Sequence, residues 1–323
     1  DGLKKNKKIT PENIPAATQL FTPHWIVRYL VENSLGRLWM LNRPGSKLVE
    51  QMDYYIKPEQ AETDFLRIGK PEEIKVCDPA CGSGHMLTYA FDLLYAIYEE
   101  EGYEPAEIPE KILTNNLYGI EIDERAGELA AFALTMKARA RQRRFLNKGV
   151  KPNICVLENV RFDEDEFKAY MDFVGREMFT AEFRETLGQF EQAKNFGSLI
   201  VPKLRDDGES LRVVEEPDFG GDMLLKEVNA RVFAVLRMAE VLSPQYHVVV
   251  ANPPYAGAKG LNASLKGWIE SHYPKSKADL MTRFMERAEN LVRANGHWGV
   301  INLPGGLLLS SCGGRGRDWL QKL

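Results

Sequence analysis

The chain has 323 residues, is 44% hydrophobic and 27% charged, and carries a formal net charge of −4 at pH 7. That length and apolar content support a sizeable core in one large domain or two small ones, and the wealth of aromatic and aliphatic residues excludes a disordered chain. The acidic balance excludes a free-standing, non-specific DNA coat, but not an enzyme that meets nucleic acid through a local basic face.

No apolar run approaches the length of a bilayer span, so no membrane contact is expected. The start, Asp1-Gly2-Leu3-Lys4-Lys5, has no initiator Met and no apolar stretch behind its charges. It is not a signal peptide and is expected to be a cut end. The chain stops at Leu323 in what reads as mid-domain, so a larger parent protein is expected. Cys77, Cys81, Cys155 and Cys312 lack paired C-x-x-C spacing, which argues against zinc and for buried thiols in a reducing cytoplasm.

Taken in order, Phe21-Thr22-Pro23-His24 predicts a helix start, with Thr22 as N-cap and Pro23 at the first helical position. The helix is expected over residues 25–38, followed by a loose excursion over 42–70. Ile74-Lys75-Val76-Cys77 predicts a strand that runs into Asp78-Pro79-Ala80-Cys81-Gly82-Ser83-Gly84, and a helix follows over residues 85–100. A second strand at residues 117–120 ends on Glu121-Ile122-Asp123. Asp123 can cap a third helix with Leu129, Ala130, Ala133, Leu134 and Met136 on one broad face. Further strands are predicted at residues 154–157, 246–251 and 298–303. Strands alternating with helices imply a mostly parallel, doubly wound α/β sheet. The charged, largely helical stretch between residues 160 and 245 reads as an insertion.

Four segments carry the candidate chemistry. The β-branched run His247-Val248-Val249-Val250-Ala251 reads as a buried strand, and Asn252-Pro253-Pro254-Tyr255 follows it. Two prolines hold the backbone extended, so an amide and an aromatic ring sit at the carboxyl end of a strand, where open α/β sheets bind ligands. Asn252 and the carbonyl of Pro253 can accept hydrogen bonds from a planar amino group, while Tyr255 stacks on the ring that bears it. In the second segment, Gly82 and Gly84 allow a tight turn into a helix N-terminus. The spacing is not that of a phosphate loop, and Asp78 opposes one. An acid there suits an ammonium group, such as the methionine part of S-adenosylmethionine.

The third segment is Glu121, which ends its strand where nucleoside-binding sheets hold ribose hydroxyls; Asp123 fits a plain helix cap better. The fourth is Thr22. The run Lys137-Ala138-Arg139-Ala140-Arg141-Gln142-Arg143-Arg144 lies at a helix end, where cations are favoured without any partner, and reads as a solvated face. The scattered histidines His24, His85, His247, His272 and His297 pair with no plausible nucleophile.

Together these segments resemble the gamma-class amino-methyltransferases: Phe-Thr-Pro, Asp-Pro-Ala-Cys-Gly-Ser-Gly, Ile-Glu-Ile-Asp and Asn-Pro-Pro-Tyr, in that order. The resemblance covers most of residues 20 to 311. The longer phrases beginning at Phe21 and at Gly197 look like the BREX phage-exclusion methyltransferases (PglX-like), with type II fused restriction-modification enzymes as relatives. One departure is the Gly- and Arg-rich run from Cys312 to Arg317, where a charged helix would be expected.

The resemblance implies a Rossmann-like methyltransferase fold and methylation of the N6 amino group of adenine in DNA, with the base flipped out of the duplex. It implies S-adenosylmethionine held by Thr22, Asp78, Ala80, Gly82, Gly84, Glu121, Ile122 and Asn159, catalysis by Asn252, Pro253 and Tyr255, and other defence-system proteins as partners. No metal is implied. The expected division is a helical lead-in over 1–70, a cofactor half over 71–160, a helical insertion over 161–243 and a truncated catalytic half over 244–323, with target recognition lying beyond. Two rivals stay open: a glutamine-amide methyltransferase acting on protein, and a non-catalytic cofactor-binding module of a defence complex.

Overall fold

The computed structural model describes residues 22–175, 180–204, 219–243, 245–255, 261–274 and 280–302. Chain order is α1 (residues 24–42), β1 (Val76–Asp78), α2 (His85–Glu100), β2 (Leu117–Glu121), α3 (Glu124–Arg141), β3 (Asn153–Val156), α4 (Glu164–Val174), α5 (Ala181–Gln189), α6 (Met223–Val241), β4 (Tyr246–Ala251), α7 (Ala263–His272), α8 (Leu280–Leu291) and β5 (Val292–Val300), with short helical turns between. The chain falls into two compact units, residues 1–156 with 244–323, and residues 157–243.

The first unit holds a five-stranded sheet in the order β3-β2-β1-β4-β5, and every pairing is parallel. The predicted doubly wound α/β sheet is therefore present. All six residues of β4 are buried, as a central parallel strand covered on both faces requires. The chain builds outward from β1 to β2 and β3, then crosses to β4 on the other side. The switch point between β1 and β4 is where such sheets open a crevice for ligands. Val76, Val248 and Val250 join Val31, Leu35, Trp39, Leu87, Phe91 and Leu94 in one core. Each large apolar side chain buried there contributes about 1.5–3 kcal/mol.

Several expectations change in detail. The first helix runs on to Asn42 through a π-helical turn at Glu32–Gly36. Residues 42–70 are not a loose excursion, because side chains of α1 supply the partners their backbone needs. Asn33 Nδ2 donates to the Tyr54 carbonyl and its Oδ1 accepts from Ile56 N–H, both at 2.8 Å. Asn42 does the same for Leu66 and Ile68, at 2.9 Å each.

In α3 the buried residues are Gly127, Ala130, Leu134 and Ala138. Leu129, Phe132 and Met136 stay exposed, Phe132 at 61%. Of the predicted face Ala130 and Leu134 are buried while Leu129 and Met136 turn outward: Gly127, Ala130 and Ala138 at helical spacing let the helix approach the sheet closely beside Leu134. Strand β5 begins at Val292, earlier than predicted. Tyr246 opposes Val292 while Val248 opposes His297, so residues 293–296 bulge out of register. Asn295 adopts a φ of 60° there, a conformation that asparagine tolerates.

The second unit is helical over its described residues apart from connecting turns. Tyr170, Phe183, Phe190, Val228, Val232 and Val235 are buried in it. Tyr170 donates to Asn229 Oδ1 at 2.6 Å, tying α4 to α6.

Candidate functional site

The site begins where β1 runs out. Asp78 is 2% exposed, and its Oδ1 accepts the N–H of Ala80 at 3.1 Å. The turn is closed by Cys81 N–H on the Ile120 carbonyl at 3.0 Å and Gly84 N–H on the Cys81 carbonyl at 2.8 Å. Gly82 and Gly84 have φ of +51° and +84°, both in the left-handed region that disfavours other residues. A Cβ on Gly84 would also meet Ala130 Cβ at 3.1 Å, whereas one on Gly82 would meet no atom within 4 Å. The second glycine therefore lets α2 pack on α3, and the first leaves one side of the turn open.

Glu121, at the end of β2, braces this turn. Its Oε2 accepts Gly82 N–H at 2.7 Å, and its Oε1 accepts Ile122 and Asp123 N–H at 2.9 and 3.1 Å. Ile122 is half-buried beside it. Asp123 caps α3 through its side chain, which accepts from Arg125 and Ala126 N–H. Burial lifts the Asp78 carboxyl from 3.8 to about 7; the Ala80 N–H opposes the shift and the nearby Glu121 charge adds to it. A cation beside Asp78 would restore its charged form.

On the neighbouring strand, Cys77 pairs with Val249, and Asn252 lies just past the end of β4. Pro253 is buried, while Asn252 and Tyr255 are half-buried. The Tyr255 hydroxyl donates to the Ile301 carbonyl at 3.4 Å, and Ile301 N–H donates to the Ala251 carbonyl at 3.0 Å. The loop is thus anchored to the chain leaving β5.

Thr22 departs from its predicted part. Pro23 occupies the N-cap position of α1, and no side-chain cap bond is made. Instead Thr22 Oγ1 accepts from Asn252 Nδ2 at 2.9 Å, across 230 positions of sequence. Phe21 lies outside the described residues, as does the run from Cys312 to Arg317. Asn159 belongs to the second unit, where its Oδ1 accepts Lys194 N–H at 2.9 Å.

The sequence reading missed the device that seats α1. Glu32 is fully buried. It accepts from Arg28 Nε at 3.0 Å, from the Tyr89 hydroxyl at 2.6 Å and from Tyr54 N–H at 2.6 Å. Arg28 also pairs with Asp53 at 2.7 Å. The i, i+4 spacing of Arg28 and Glu32 was the available signal, but that spacing ordinarily marks an exposed pair. His85 does meet a serine: its Nδ1 lies 3.1 Å from Ser83 Oγ, a local contact on the exposed start of α2. Cys77 and Cys81 are buried free thiols, pushed up by burial and by the neighbouring Asp78. Cys155 is half-buried, and Cys312 lies outside the described residues. Among the described residues no group of three His, Cys, Asp or Glu could hold a metal ion, and no helix is long and apolar enough to cross a membrane.

A parallel sheet with an acid–glycine turn at its switch point and Asn-Pro-Pro-Tyr on the adjoining strand is the framework of the methyltransferase class. Residues 115–305 match the model of the Eco57I restriction-modification methylase family, and the chain belongs to that family. Residues 62–154 match the DNA-methyltransferase domain of MmeI. The adenine-specific methyltransferase BrxX of Escherichia coli O9:H4 (strain HS) is 41% identical over 338 residues, covering 94% of this chain and 28% of the relative. The adenine-specific methyltransferase PglX of Lacticaseibacillus casei (strain Zhang) is 36% identical over 332 residues, covering 96% and 27%. The chain therefore spans little more than a quarter of the length of these curated relatives.

Proposed function

We propose that the protein methylates the N6 amino group of adenine in DNA with S-adenosylmethionine, as the marking step of a phage-defence or restriction-modification system. The observation that carries this reading is the pairing of β1 with β4. It sets the loop of Asn252, Pro253 and Tyr255 beside the turn that begins at Asp78.

The residues of the turn fit the cofactor. Asp78 is a buried carboxyl with a raised pKa, so an ammonium group beside it would relieve an electrostatic penalty. The side of the turn beyond Gly82 is open to approach. A carboxylate offers about four acceptor sites, so the three backbone donors on Glu121 leave room for a ribose hydroxyl. Asp78, Ala80, Gly82 and Gly84 would hold the methionine part, and Glu121 with Ile122 the nucleoside. When bound, S-adenosylmethionine supplies an electrophilic methyl group.

The target nitrogen is a poor nucleophile, because its lone pair is shared with the purine ring. Asn252 Oδ1 and the Pro253 carbonyl accept its two hydrogens. That contact strengthens as the nitrogen becomes pyramidal, so it acts on the transition state. The nitrogen is out of reach within a duplex, so the base must be flipped. Tyr255, its hydroxyl held on Ile301, presents its ring for stacking, which is worth about 1–3 kcal/mol per base.

The test uses the full-length protein, adenine-containing DNA and isotopically labelled cofactor, with mass spectrometry of the released nucleosides. N6-methyladenine is expected. Asn252→Ala should abolish it while calorimetric titration still shows cofactor binding, and Asp78→Ala should lose that binding. Label appearing on a protein glutamine, or cofactor bound with no product on DNA, overturns the reading.

A further inference from the structure

We infer that Thr22 is a positioning residue that orients the Asn252 amide, a role distinct from holding the cofactor; the inference rests on the adenine-methylation reading above. The observation is the 2.9 Å hydrogen bond from Asn252 Nδ2 to Thr22 Oγ1.

An asparagine side chain presents two unlike corners, an acceptor oxygen and a donor NH₂. The amino group to be methylated brings two hydrogens, so only the oxygen corner can serve it. An amide rotated by half a turn would aim its own NH₂ at that amino group, donor against donor. Asn252 sits on a loop that two prolines deprive of backbone donors, and its neighbour Tyr255 is held elsewhere, on Ile301. Thr22 offers Nδ2 an acceptor at the corner opposite to the substrate. A hydroxyl can accept or donate, so Thr22 does not choose the orientation unaided. It removes the penalty of the productive one, by accepting from Nδ2 while Oδ1 accepts from the substrate.

Thr22 is itself set in place. It precedes Pro23, the N-cap of α1, a helix that Glu32 fastens to Tyr89 of α2 and to the backbone of Tyr54. The helix that follows Thr22 is thus fixed to α2, and its Val31 and Leu35 pack in one core with Val248 and Val250 of β4, the strand that leads to Asn252. A positioning contact requires that rigidity.

The experiment compares Thr22→Val, which keeps the shape and removes the acceptor, with Thr22→Ser, which keeps the acceptor. In the full-length enzyme, Thr22→Val should lower kcat for DNA methylation about 10- to 100-fold, the scale of a misoriented reacting group. The Kd for S-adenosylmethionine should stay unchanged, and Thr22→Ser should restore kcat. In the absence of DNA and cofactor, the Asn252 side-chain NH₂ resonances should shift and exchange faster in Thr22→Val but not in Thr22→Ser. Thr22→Ala serves in the same comparison if the valine variant does not fold.

A rise in cofactor Kd with kcat unchanged would make Thr22 a cofactor ligand and overturn the inference. Unmoved Asn252 resonances in Thr22→Val would overturn it as well. A wild-type enzyme that binds cofactor and leaves adenine in DNA unmethylated would instead sink the functional reading, a separate outcome from either.

Discussion

The backbone N–H of Gly82 donates to Oε2 of Glu121 at 2.7 Å, joining residues 39 positions apart. With Cys81 N–H on the Ile120 carbonyl, that contact holds the glycine turn after β1 to the strand beside it. The same carboxylate also fixes the start of the segment leading to α3. A side chain that the sequence offers as a ligand-binding acid is therefore also a structural brace.

Replacing that brace should be felt before any ligand is added. Glu121→Ala leaves three backbone donors without their acceptor. A hydrogen bond to a charged group contributes about 1.5–3 kcal/mol, so the unfolding free energy should fall by at least an amount in that range, read as a lower urea midpoint at unchanged m. Glu121→Gln keeps one acceptor oxygen and should lose less. A Glu121→Ala protein with the wild-type midpoint would show that the turn stands without it.

Asp78 should make stability depend on pH in an unusual sense. Its folded pKa, about 7, lies above the ordinary 3.8. Between those values the folded chain keeps a proton that the unfolded chain releases, so this group favours folding most below pH 3.8 and progressively less up to pH 7. Asp78→Asn should remove that slope, as urea midpoints across pH 4 to 8 would show. If S-adenosylmethionine binds here, its ammonium group should expel the proton below pH 7. Calorimetry in buffers of different ionisation enthalpy would detect the release; its absence would count against contact with Asp78.

His247 should act in the opposite direction. Burial, with Arg293 and Lys75 nearby, pushes its pKa from 6.5 down to about 4. Its Nδ1 accepts Lys75 N–H at 3.1 Å, a bond the charged ring could not accept. The stability it contributes is complete above pH 6.5 and is lost as pH falls toward 4. His247→Asn, which keeps an acceptor near the Nδ1 position, should flatten that acid-side loss. An unchanged acid limb would exclude this histidine as its source.

The buried carboxylate of Glu32 should be the costliest of these groups to remove. Its side chain is fully buried and that of Arg28 is 19% exposed. Deleting one partner of a buried pair costs about 3–5 kcal/mol, because the other charge is left uncompensated. Glu32→Ala should therefore lower the thermal midpoint more than Tyr89→Phe, which removes the two hydrogen bonds of that hydroxyl, to Glu32 and from Arg28 Nε, but leaves the Arg28–Glu32 ion pair in place. Equal, small effects from both variants would show that the network is peripheral.

What the sequence determined by itself was local. The β-branched run at residues 247–251, the glycine turn and the Asp123 cap each announce their structure within a few residues. Helix α2 begins and ends where its pattern places it, at His85 and Glu100. Alternating strands and helices imply the parallel sheet, and the acids at Asp78 and Glu121 stand at strand ends that the pattern alone marks. The tertiary structure decided the pairings that no local pattern encodes. Thr22 as a helix cap was a sound local reading, but its hydroxyl meets Asn252, brought close only when β4 enters the sheet. Leu129 and Met136 of α3 looked like part of its core face, yet the side that meets the sheet is Gly127, Ala130, Leu134 and Ala138, small at all but one position. Glu32 bears no local mark of burial, yet it is fully buried and accepts from the Tyr89 hydroxyl and Tyr54 N–H. In each case the deciding partner lies tens to hundreds of residues away. Only the folded chain, which excludes water and demands that every buried polar group be satisfied, selects it.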